Sequence, residues 1–312
     1  MTTSHSSAAT RTPHDADPTR TRHDADATRT RHNSATALRR RRLTTAGFHA
    51  GAGTLSLLWL LPIILVLVTS LRTFDDIAAH GLGSWPRSFT LGNFTQAWVD
   101  GGQQRALINS LLVTIPCVVV TLALAAMAAF GLSRYEMPLR RSLLLLMLGG
   151  NLLPPQILLI PVSKLSELMG LYDTLPALIG VQIGFGVGFY VFVLHGFMRS
   201  IPVEIQQAAV VDGAGPWQIF WRIILPLTRP ALAALSALSF TWIFNDLLWA
   251  ITVLRSDTRM PITAALIGLQ GQYVSMWNVI AAGSVIAAAP TVAVFLRFQR
   301  HFVAGLNLGA VK

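Results

Sequence analysis

The sequence predicts an all-α membrane protein with six transmembrane helices, and three observations support this prediction. Of its 312 residues, 53% are hydrophobic and only 12% are charged, about half the roughly 25% charged share of a soluble domain. The mean hydropathy is +0.54. Several apolar runs approach the ~20 residues that a helix needs to cross a bilayer. The single cysteine, Cys117, lies inside one of these runs, which excludes an intrachain disulfide and indicates a small core residue.

The tail, residues 1–46, differs in composition from residues 47–312, which form the predicted transmembrane domain. Three consecutive nine-residue units rich in Thr, Arg, His, Asp and Ala lack the large apolar side chains that offset ordering entropy. We predict a disordered cytoplasmic tail, retained inside by the basic run Arg39–Arg42. One histidine in each unit suggests metal binding, but duplication of a low-complexity sequence explains the spacing better. The units are Thr10–Pro18, Thr19–Ala27 and Thr28–Thr36.

Six apolar segments are predicted to cross the membrane. If they alternate in direction, eighteen basic residues fall on the side of the tail and six on the opposite side, and the positive side is the cytoplasm. Both termini are therefore predicted to be cytoplasmic. The net charge of +10 reflects the tail and lipid contacts at helix ends rather than nucleic-acid binding. The predicted spans are Thr54–Leu71, Leu107–Leu132, Leu143–Pro161, Leu175–Phe197, Ala231–Val253 and Val279–Phe298.

Prolines and glycines inside the spans indicate a helical bundle. Pro116, Pro154-Pro155 and Pro290 free carbonyl groups that need partners from neighbouring helices. Span four has three glycines at intervals of four, which place small residues on one face where another backbone can approach. We interpret that face as a packing surface, with a role in gating motion as the weaker alternative. The three glycines are Gly180, Gly184 and Gly188.

Four polar side chains in the spans are candidates for the translocation path or a gate: Asn245, Asp246, Gln182 and Asn151. Asp246 is the strongest candidate. A carboxylate at mid-membrane costs about 2.5–3.5 kcal/mol, so it is expected to face a bundle interior or an aqueous cavity. A hydrogen bond that stabilises the bundle near its outer surface is an equally good interpretation of Asp246.

Residues 200–226 form the longest moderately polar stretch between two apolar segments and predict a cytoplasmic helix-turn-helix. The pair Asp212-Gly213 is expected to end the first helix, because glycine adopts the left-handed conformation at helix ends. A second helix is expected from Trp217 to Leu225, stopping at Pro226. A helix of about ten residues is marginal alone in water. The stretch is therefore either an ordinary interfacial loop or an element that docks in a groove of a partner protein.

The sequence contains no HExxH metal motif, no Walker phosphate loop and no GxSxG elbow. An intramembrane enzyme therefore lacks its motif, and no catalytic residue, metal ligand or cofactor is predicted on this chain. A stand-alone secondary carrier would need ion-coupling carboxylates within the membrane, and only Asp246 fits that requirement.

Residues 200–226 resemble the EAA loop of ABC-importer permeases, whose usual form is IPxELxEAAxxDGA followed by IxLP. This chain reads IPVEIQQAAVVDGA from Ile201 to Ala214 and IILP from Ile223 to Pro226. The resemblance covers about residues 47–312. Other segments look like the carbohydrate subclass, and within it the type of the maltose importer's G subunit and the glycerol-3-phosphate importer's E subunit. These segments are Ser70–Trp98, Phe244–Asp246 and Gln299–Leu306.

The resemblance implies that this loop couples the permease to an ATPase. Ala208, Asp212 and Gly213 would hold the coupling helix, and Glu204 and Gln207 would touch the ATPase. Gln207 departs from the family pattern, which has glutamate here, so the resemblance favours shape and apolar packing over an ion pair at this point. The implied loop residues are Glu204, Gln207, Ala208, Ala209, Asp212, Gly213, Ala214, Leu225 and Pro226.

The fold implied is that of a type I ABC importer permease in a bacterial-type plasma membrane. This chain would form half of the pathway for a sugar or sugar derivative. Its implied partners are a second homologous permease, two ATP-binding cassette subunits that bind ATP and Mg, an external solute-binding protein and membrane lipids. A permease for polyamines or phosphonates is the nearer alternative, and the carboxy-terminal resemblance disfavours it.

Overall fold

Helices joined by short loops make up the described part of the chain. The computed structural model describes residues 48–49, 51–270 and 276–310, so the predicted tail lies outside the described residues. The helices are α1 Gly51–Leu71, α2 Phe74–His80, α3 Gly92–Thr95, α4 Gln103–Arg134, α5 Arg140–Leu152, α6 Leu159–Leu168, α7 Leu175–Ser200, α8 Val203–Val211, α9 Pro216–Ile219, α10 Leu225–Phe244, α11 Leu248–Val253, α12 Ile262–Gly268 and α13 Trp277–Ala310.

Five of the described helical stretches are long and apolar enough to cross a bilayer, and a bent pair makes a sixth segment if it is counted as one span. Four predicted spans lie within single helices, namely α1, α4, α7 and α13. Within α1, the side chains from residue 51 to residue 64 are exposed. The proline inside α4 and the proline inside α13 leave both helices continuous.

The core from residue 65 onward is built around the contact between α4 and α7. Ala125 and Ala129 of α4 are fully buried, as are Leu194 and Met198 of α7, and all four belong to one apolar cluster. Small side chains on α4 let the bulkier face of α7 approach closely. The helices α10 and α5 pack onto this pair, α10 against α4 and α5 against α7. Cys117 is fully buried within α4, as expected.

The contact between α5 and α7 depends on Gly188. A Cβ added there would lie 2.7 Å from the backbone oxygen of Met147 on α5, well inside van der Waals contact. At Gly180 and Gly184 an added Cβ would meet no atom within 4 Å. Within this subunit, close packing on the glycine face is therefore seen at Gly188, and a packing role for the other two glycines stays a prediction.

The predicted span Leu143–Pro161 is a bent pair of helices rather than a single helix. The helix α5 ends at Leu152, a short 3₁₀ turn covers Pro155–Leu158, and α6 follows at an angle of 88°. Proline lacks an N–H and pushes the residue before it out of the helical region, so two consecutive prolines end α5. The second proline then begins the new turn, where its missing N–H has no cost.

The prediction for span five, Ala231–Val253, is wrong at both ends. One helical stretch runs from Pro216 to Phe244, and Leu248–Val253 is the separate helix α11. Sequence reasoning also expected a helix end at Pro226, but the chain passes it through a π-helical turn at Phe220–Ile224. Such a turn shifts the hydrogen-bond ladder by one residue. Pro226 follows directly after this turn at the start of α10, and Pro230 lies inside α10.

A buried arginine organises the segment between α1 and α4. Arg72 is fully buried, and its Nε donates to Asp76 Oδ2 at 2.8 Å. Its Nη1 donates to the carbonyl oxygens of Gly81, Leu82 and Ser84 at 3.1–3.3 Å. The hydrogen bond from Arg72 is the main cause that holds the pKa of Asp76 below its usual value. This ion pair therefore fixes α2 and the loop that follows.

We expect Arg72→Met to reduce the amount of folded protein in the membrane. The variant leaves the Asp76 carboxylate, whose side chain is only 3% exposed, without its charge partner. Arg87→Met is the matched control, because Arg87 is exposed and only its backbone N–H donates to Asp76. Membrane abundance and thermal unfolding of the purified protein are the measurements. Equal values for the two variants would contradict this role of Arg72.

Candidate functional site

Residues 200–226 form a helix, a tight turn and the start of a second helix. The helix α8 is closed by a Schellman motif, in which Gly213 N–H donates to Val210 O at 3.0 Å and Ala214 N–H donates to Ala209 O at 2.9 Å. Gly213 has a φ of +81°, the left-handed conformation that side chains other than glycine adopt at a cost. The Asp212-Gly213 pair thus ends the helix as the sequence predicted.

The alanine that anchors α8 is Ala209, which is 7% exposed and belongs to the same apolar cluster as Ile219 and Phe220. Ala208 was expected to hold the helix, but its side chain is exposed and its carbonyl accepts the N–H of Asp212 at 3.0 Å. Ala208 therefore lies at the surface of this subunit, and its role in holding the coupling helix stays a prediction.

The opposite side of the loop is exposed. Glu204 and Gln207 lie at the surface, as do Ala208 and Asp212. Large apolar side chains of this loop are also exposed, with Val211 at 86%. Contiguous exposed apolar surface is a mark of an interaction site. The exposed apolar residues include Val203, Val210, Val211 and Trp217.

The second helix continues directly into the membrane domain. Gly215 precedes Pro216 at the start of α9, and the Gly215 N–H donates to Gln218 Oε1 at 3.2 Å. The π-helical turn then leads into α10, whose first two residues are Leu225 and Pro226. These two residues are partly buried. They join the loop to α10 rather than end the second helix.

Sequence reasoning missed Arg134, at the end of α4. Its Nη2 donates to the carbonyl oxygen of Met198 at 2.7 Å and to that of Ile201 at 3.1 Å. Ser200 ends α7 and Val203 begins α8, so Arg134 holds the hinge between these helices. The one signal in the sequence was a basic residue at the end of a long apolar helix, which equally indicates a lipid contact.

Three of the four predicted pathway residues line one cavity of about 310 Å³: Asn151, Gln182 and Asp246. The cavity lies beside the break between α5 and α6 and the break between α10 and α11, because Pro155 and Trp249 also line it. A larger cleft of about 980 Å³ is lined by Asp100, Arg105 and Asp257 among others and holds none of the predicted site residues.

Asn245 is separate from this cavity. Its Nδ2 donates to Thr241 O at 2.8 Å and to Thr291 Oγ1 of α13 at 3.1 Å. Asp246 lies one residue before the N-cap Leu247, and its Oδ2 accepts the N–H of Trp249 in the first turn of α11 at 3.1 Å. Asn245 therefore connects α10 to α13. Asp246 instead bonds to the first turn of α11 and lines the cavity.

Aromatic rings form much of the remaining cavity wall. Phe185 and Trp249 stack with ring centroids 4.8 Å apart and an interplanar angle of 16°. Phe189 and Trp242 lie 5.3 Å apart with tilted planes. Trp242 keeps 54% of its surface exposed, whereas Trp249 is 7% exposed. Sequence reasoning assigned no role to these rings, because aromatic residues in a span are ordinary core residues unless their positions relative to a cavity are known.

Comparison with known proteins identifies the class. Residues 106–307 match the family described as "Binding-protein-dependent transport system inner membrane component". The probable ABC transporter permease protein YurM of Bacillus subtilis is 33% identical over 80% of this chain and 83% of its own length. The trehalose transport system permease protein SugB of Mycobacterium tuberculosis is 32% identical over 81% and 92%. The melibiose/raffinose/stachyose import permease protein MelC of Bacillus subtilis is 30% identical over 81% and 91%.

A solved structure has the same fold. It is a chain of a bacterial ABC transporter involved in the import of the acidic polysaccharide alginate, with a TM-score of 0.74. The match covers 84% of this chain and 97% of that one at 22% sequence identity. At that identity the likeness establishes the fold alone.

The helical fold and its exposed loop thus define a permease subunit of an ABC importer. The chain belongs to the family of inner-membrane components of binding-protein-dependent transport systems. It is a multi-pass protein of the plasma membrane and a transport subunit rather than an enzyme.

We expect Gly213→Val to abolish uptake while the protein stays in the membrane. A left-handed conformation costs a residue with a side chain about 1–2 kcal/mol, and a β-branched residue is a strong outlier there. The turn should therefore rearrange locally. Gly215→Val is the control, because Gly215 has an ordinary φ of −72° and open space around it. Uptake and membrane abundance are measured together, and undiminished uptake by Gly213→Val would contradict the role of the turn.

Proposed function

We propose that this chain forms half of the translocation pathway of an ATP-driven sugar importer and that α8 couples it to an ATPase subunit. The observation that supports the proposal most directly is the geometry of residues 200–226. Ala209 fastens one side of α8 to the core, while the other side offers Gln207 and exposed valines to a partner. Family membership and relatives named for sugar transport support the same function.

The proposed assembly pairs this chain with a second homologous permease and two ATP-binding cassette subunits. ATP and Mg bind to those cassette subunits, and an external solute-binding protein delivers the sugar. In this arrangement the bent pair α5–α6 counts as one span, which gives six spans and places both termini in the cytoplasm. The predicted excess of basic residues on that side supports the orientation.

Contact with the ATPase is proposed to rest on shape and apolar burial. A short amphipathic helix docks by laying its apolar side into a groove of the partner. Val210 and Val211, at 56% and 86% exposed, supply surface that such a groove would cover. Gln207 can form hydrogen bonds but has no charge. An ion pair at this position is therefore not required for docking.

In the proposed coupling, Arg134 helps to transmit the motion of α8 to the membrane domain. When the ATPase subunits close on ATP, they would displace α8, and the short hinge at Ile201 would pass that motion to α7. Arg134 holds both sides of the hinge from α4, so α4 and α7 would move with α8. A packed helix pair that shifts as a unit is a common device for switching between two states.

The cargo is proposed to be a sugar because the named relatives transport trehalose and melibiose-type sugars. The test is reconstitution of the complete importer in liposomes with its binding protein. Radiolabelled trehalose, melibiose and raffinose are offered with ATP inside, and spermidine is offered for comparison. Sugar uptake that requires both ATP and the binding protein is expected. Uptake without ATP would indicate a secondary carrier, and uptake of spermidine alone would indicate a polyamine permease; either result overturns the proposal.

The proposed apolar contact predicts that Gln207→Glu preserves coupling whereas Val211→Glu disrupts it. Both variants place the same side chain at an exposed position on α8, but only the second would bury a carboxylate in the apolar contact. ATPase binding to the permease and stimulation of ATP hydrolysis by the loaded binding protein are the measurements. Loss of coupling in Gln207→Glu with normal coupling in Val211→Glu would reverse this assignment.

Arg134→Met should lower sugar uptake at least tenfold while ATP hydrolysis continues. The variant removes both hydrogen bonds to the hinge, so α8 can still follow the ATPase without moving α4. Arg141→Met, which changes an exposed basic residue of α5 on the same predicted side, is the control. Sugar transported per ATP hydrolysed separates this effect from poor assembly, which would lower both quantities. An unchanged ratio would exclude a coupling role for Arg134.

A further inference from the structure

The cavity between the two helix breaks has the chemistry of a sugar site. Sugar rings present C–H groups on their faces and hydroxyl groups around their edges. The cavity is lined both by aromatic rings and by the polar side chains of Asn151, Gln182 and Asp246. Its volume of about 310 Å³ lies at the small end of the range of small-molecule sites, roughly 300–1,000 Å³. One or two sugar rings are the ligands that such a volume suits.

The polar lining supplies both kinds of hydrogen-bonding group. The amides of Asn151 and Gln182 each have a donor and an acceptor, and the Asp246 carboxylate accepts. The backbone N–H of Trp249 occupies one carboxylate oxygen, Oδ2. The side chain of Gln182 also bonds to this carboxylate, so a ligand hydroxyl would join an existing pair of Gln182 and Asp246. A hydroxyl both donates and accepts, so it can pair with all three side chains.

The charges of the residues that line the cavity also restrict which ligands it suits. The residues that line this cavity in the described part of the chain include one carboxylate and no lysine, arginine or histidine. A ligand carboxylate would meet Asp246 with no cation to offset the repulsion. A ligand ammonium group could pair with Asp246, but it has no acceptor for the amide donors of Asn151 and Gln182. A sugar hydroxyl both donates and accepts, and can pair with all three side chains.

We propose that this subunit itself binds an uncharged sugar ring in this cavity during transport. Trp242 and Phe189 contact the face of the ring, and Asp246, Gln182 and Asn151 bind its hydroxyl groups. Trp242 is the principal contact because more than half of its surface is free. The broken backbone beside the ligand fits this role, since irregular backbone at membrane depth is tolerated where it lines a cavity. The inference rests on the proposed sugar transport and adds a site within this chain.

The first experiment compares aromatic variants of the reconstituted importer. Trp242→Ala and Phe189→Ala should each reduce the sugar transported per ATP about tenfold, using whichever of trehalose, melibiose and raffinose the wild type transports fastest. Phe192→Ala, on the same helix as Phe189, should change nothing, since Phe192 is exposed and does not line the cavity. Trp242→Phe should restore most of the transport. Stimulation of ATP hydrolysis by the loaded binding protein should stay normal in all four variants.

The second experiment tests charge selection without the binding protein. The assembled importer in lipid nanodiscs is examined by saturation-transfer NMR with trehalose, its 6-uronic acid and its 6-amino derivative. The neutral sugar should give the strongest signal, and Asp246→Asn should raise the signal of the acid toward that of the neutral sugar. Phe189→Ala should remove the signal of trehalose, and Phe192→Ala should retain it.

The outcomes separate this inference from the function on which it rests. If no sugar in the panel is transported, the proposed sugar import fails and the site fails with it. If wild-type uptake is normal and both Trp242→Ala and Phe189→Ala transport at the wild-type ratio, the cavity holds no sugar and the sugar importer stands. A stronger signal for the 6-amino derivative than for trehalose would reassign the cavity to a cationic ligand.

Discussion

Hydrocarbon offers backbone groups no hydrogen-bond partners, and this constraint explains where the chain leaves the helical conformation. Most of the membrane domain satisfies its N–H and C=O groups within long helices. Two interruptions, at Pro154-Pro155 and at Asn245-Asp246, occur inside segments that the sequence predicted to cross the membrane. Both interruptions border the same cavity. Non-helical backbone is tolerated at these two positions because it borders a cavity. The break at Asn245-Asp246 also places Asp246 in the cavity wall.

The helix α7 connects the two functional regions. It contributes Gln182 and Phe189 to the cavity, and at its end it passes through the hinge held by Arg134 into α8. A displacement at residues 200–226 would therefore reach the cavity along one continuous helix. Such a connection needs no chain of side-chain rearrangements between the sites, because α7 is one continuous helix that packs against α4 and α5.

The sequence predicted elements that depend on local chemistry. The turn at Gly213 follows from a glycine in a short polar segment, and the long apolar helices follow from hydropathy. The effect of proline could not be predicted in the same way: Pro154-Pro155 ends a helix, whereas Pro226 lies inside one. A π-helical turn directly precedes Pro226, and the sequence reasoning did not predict such a turn. Arg134 was missed for a related reason, since its carbonyl partners are more than sixty residues away in the chain.

The single cysteine also has a practical consequence. Cys117 is fully buried in α4 and lies in an apolar cluster with residues of α7 and α11. Water-soluble thiol reagents therefore have no exposed native target on the chain, whose only cysteine this is. Cysteines introduced one at a time would be labelled alone in the otherwise unaltered protein. The natural sequence is thus already a background for mapping which loops face each side of the membrane.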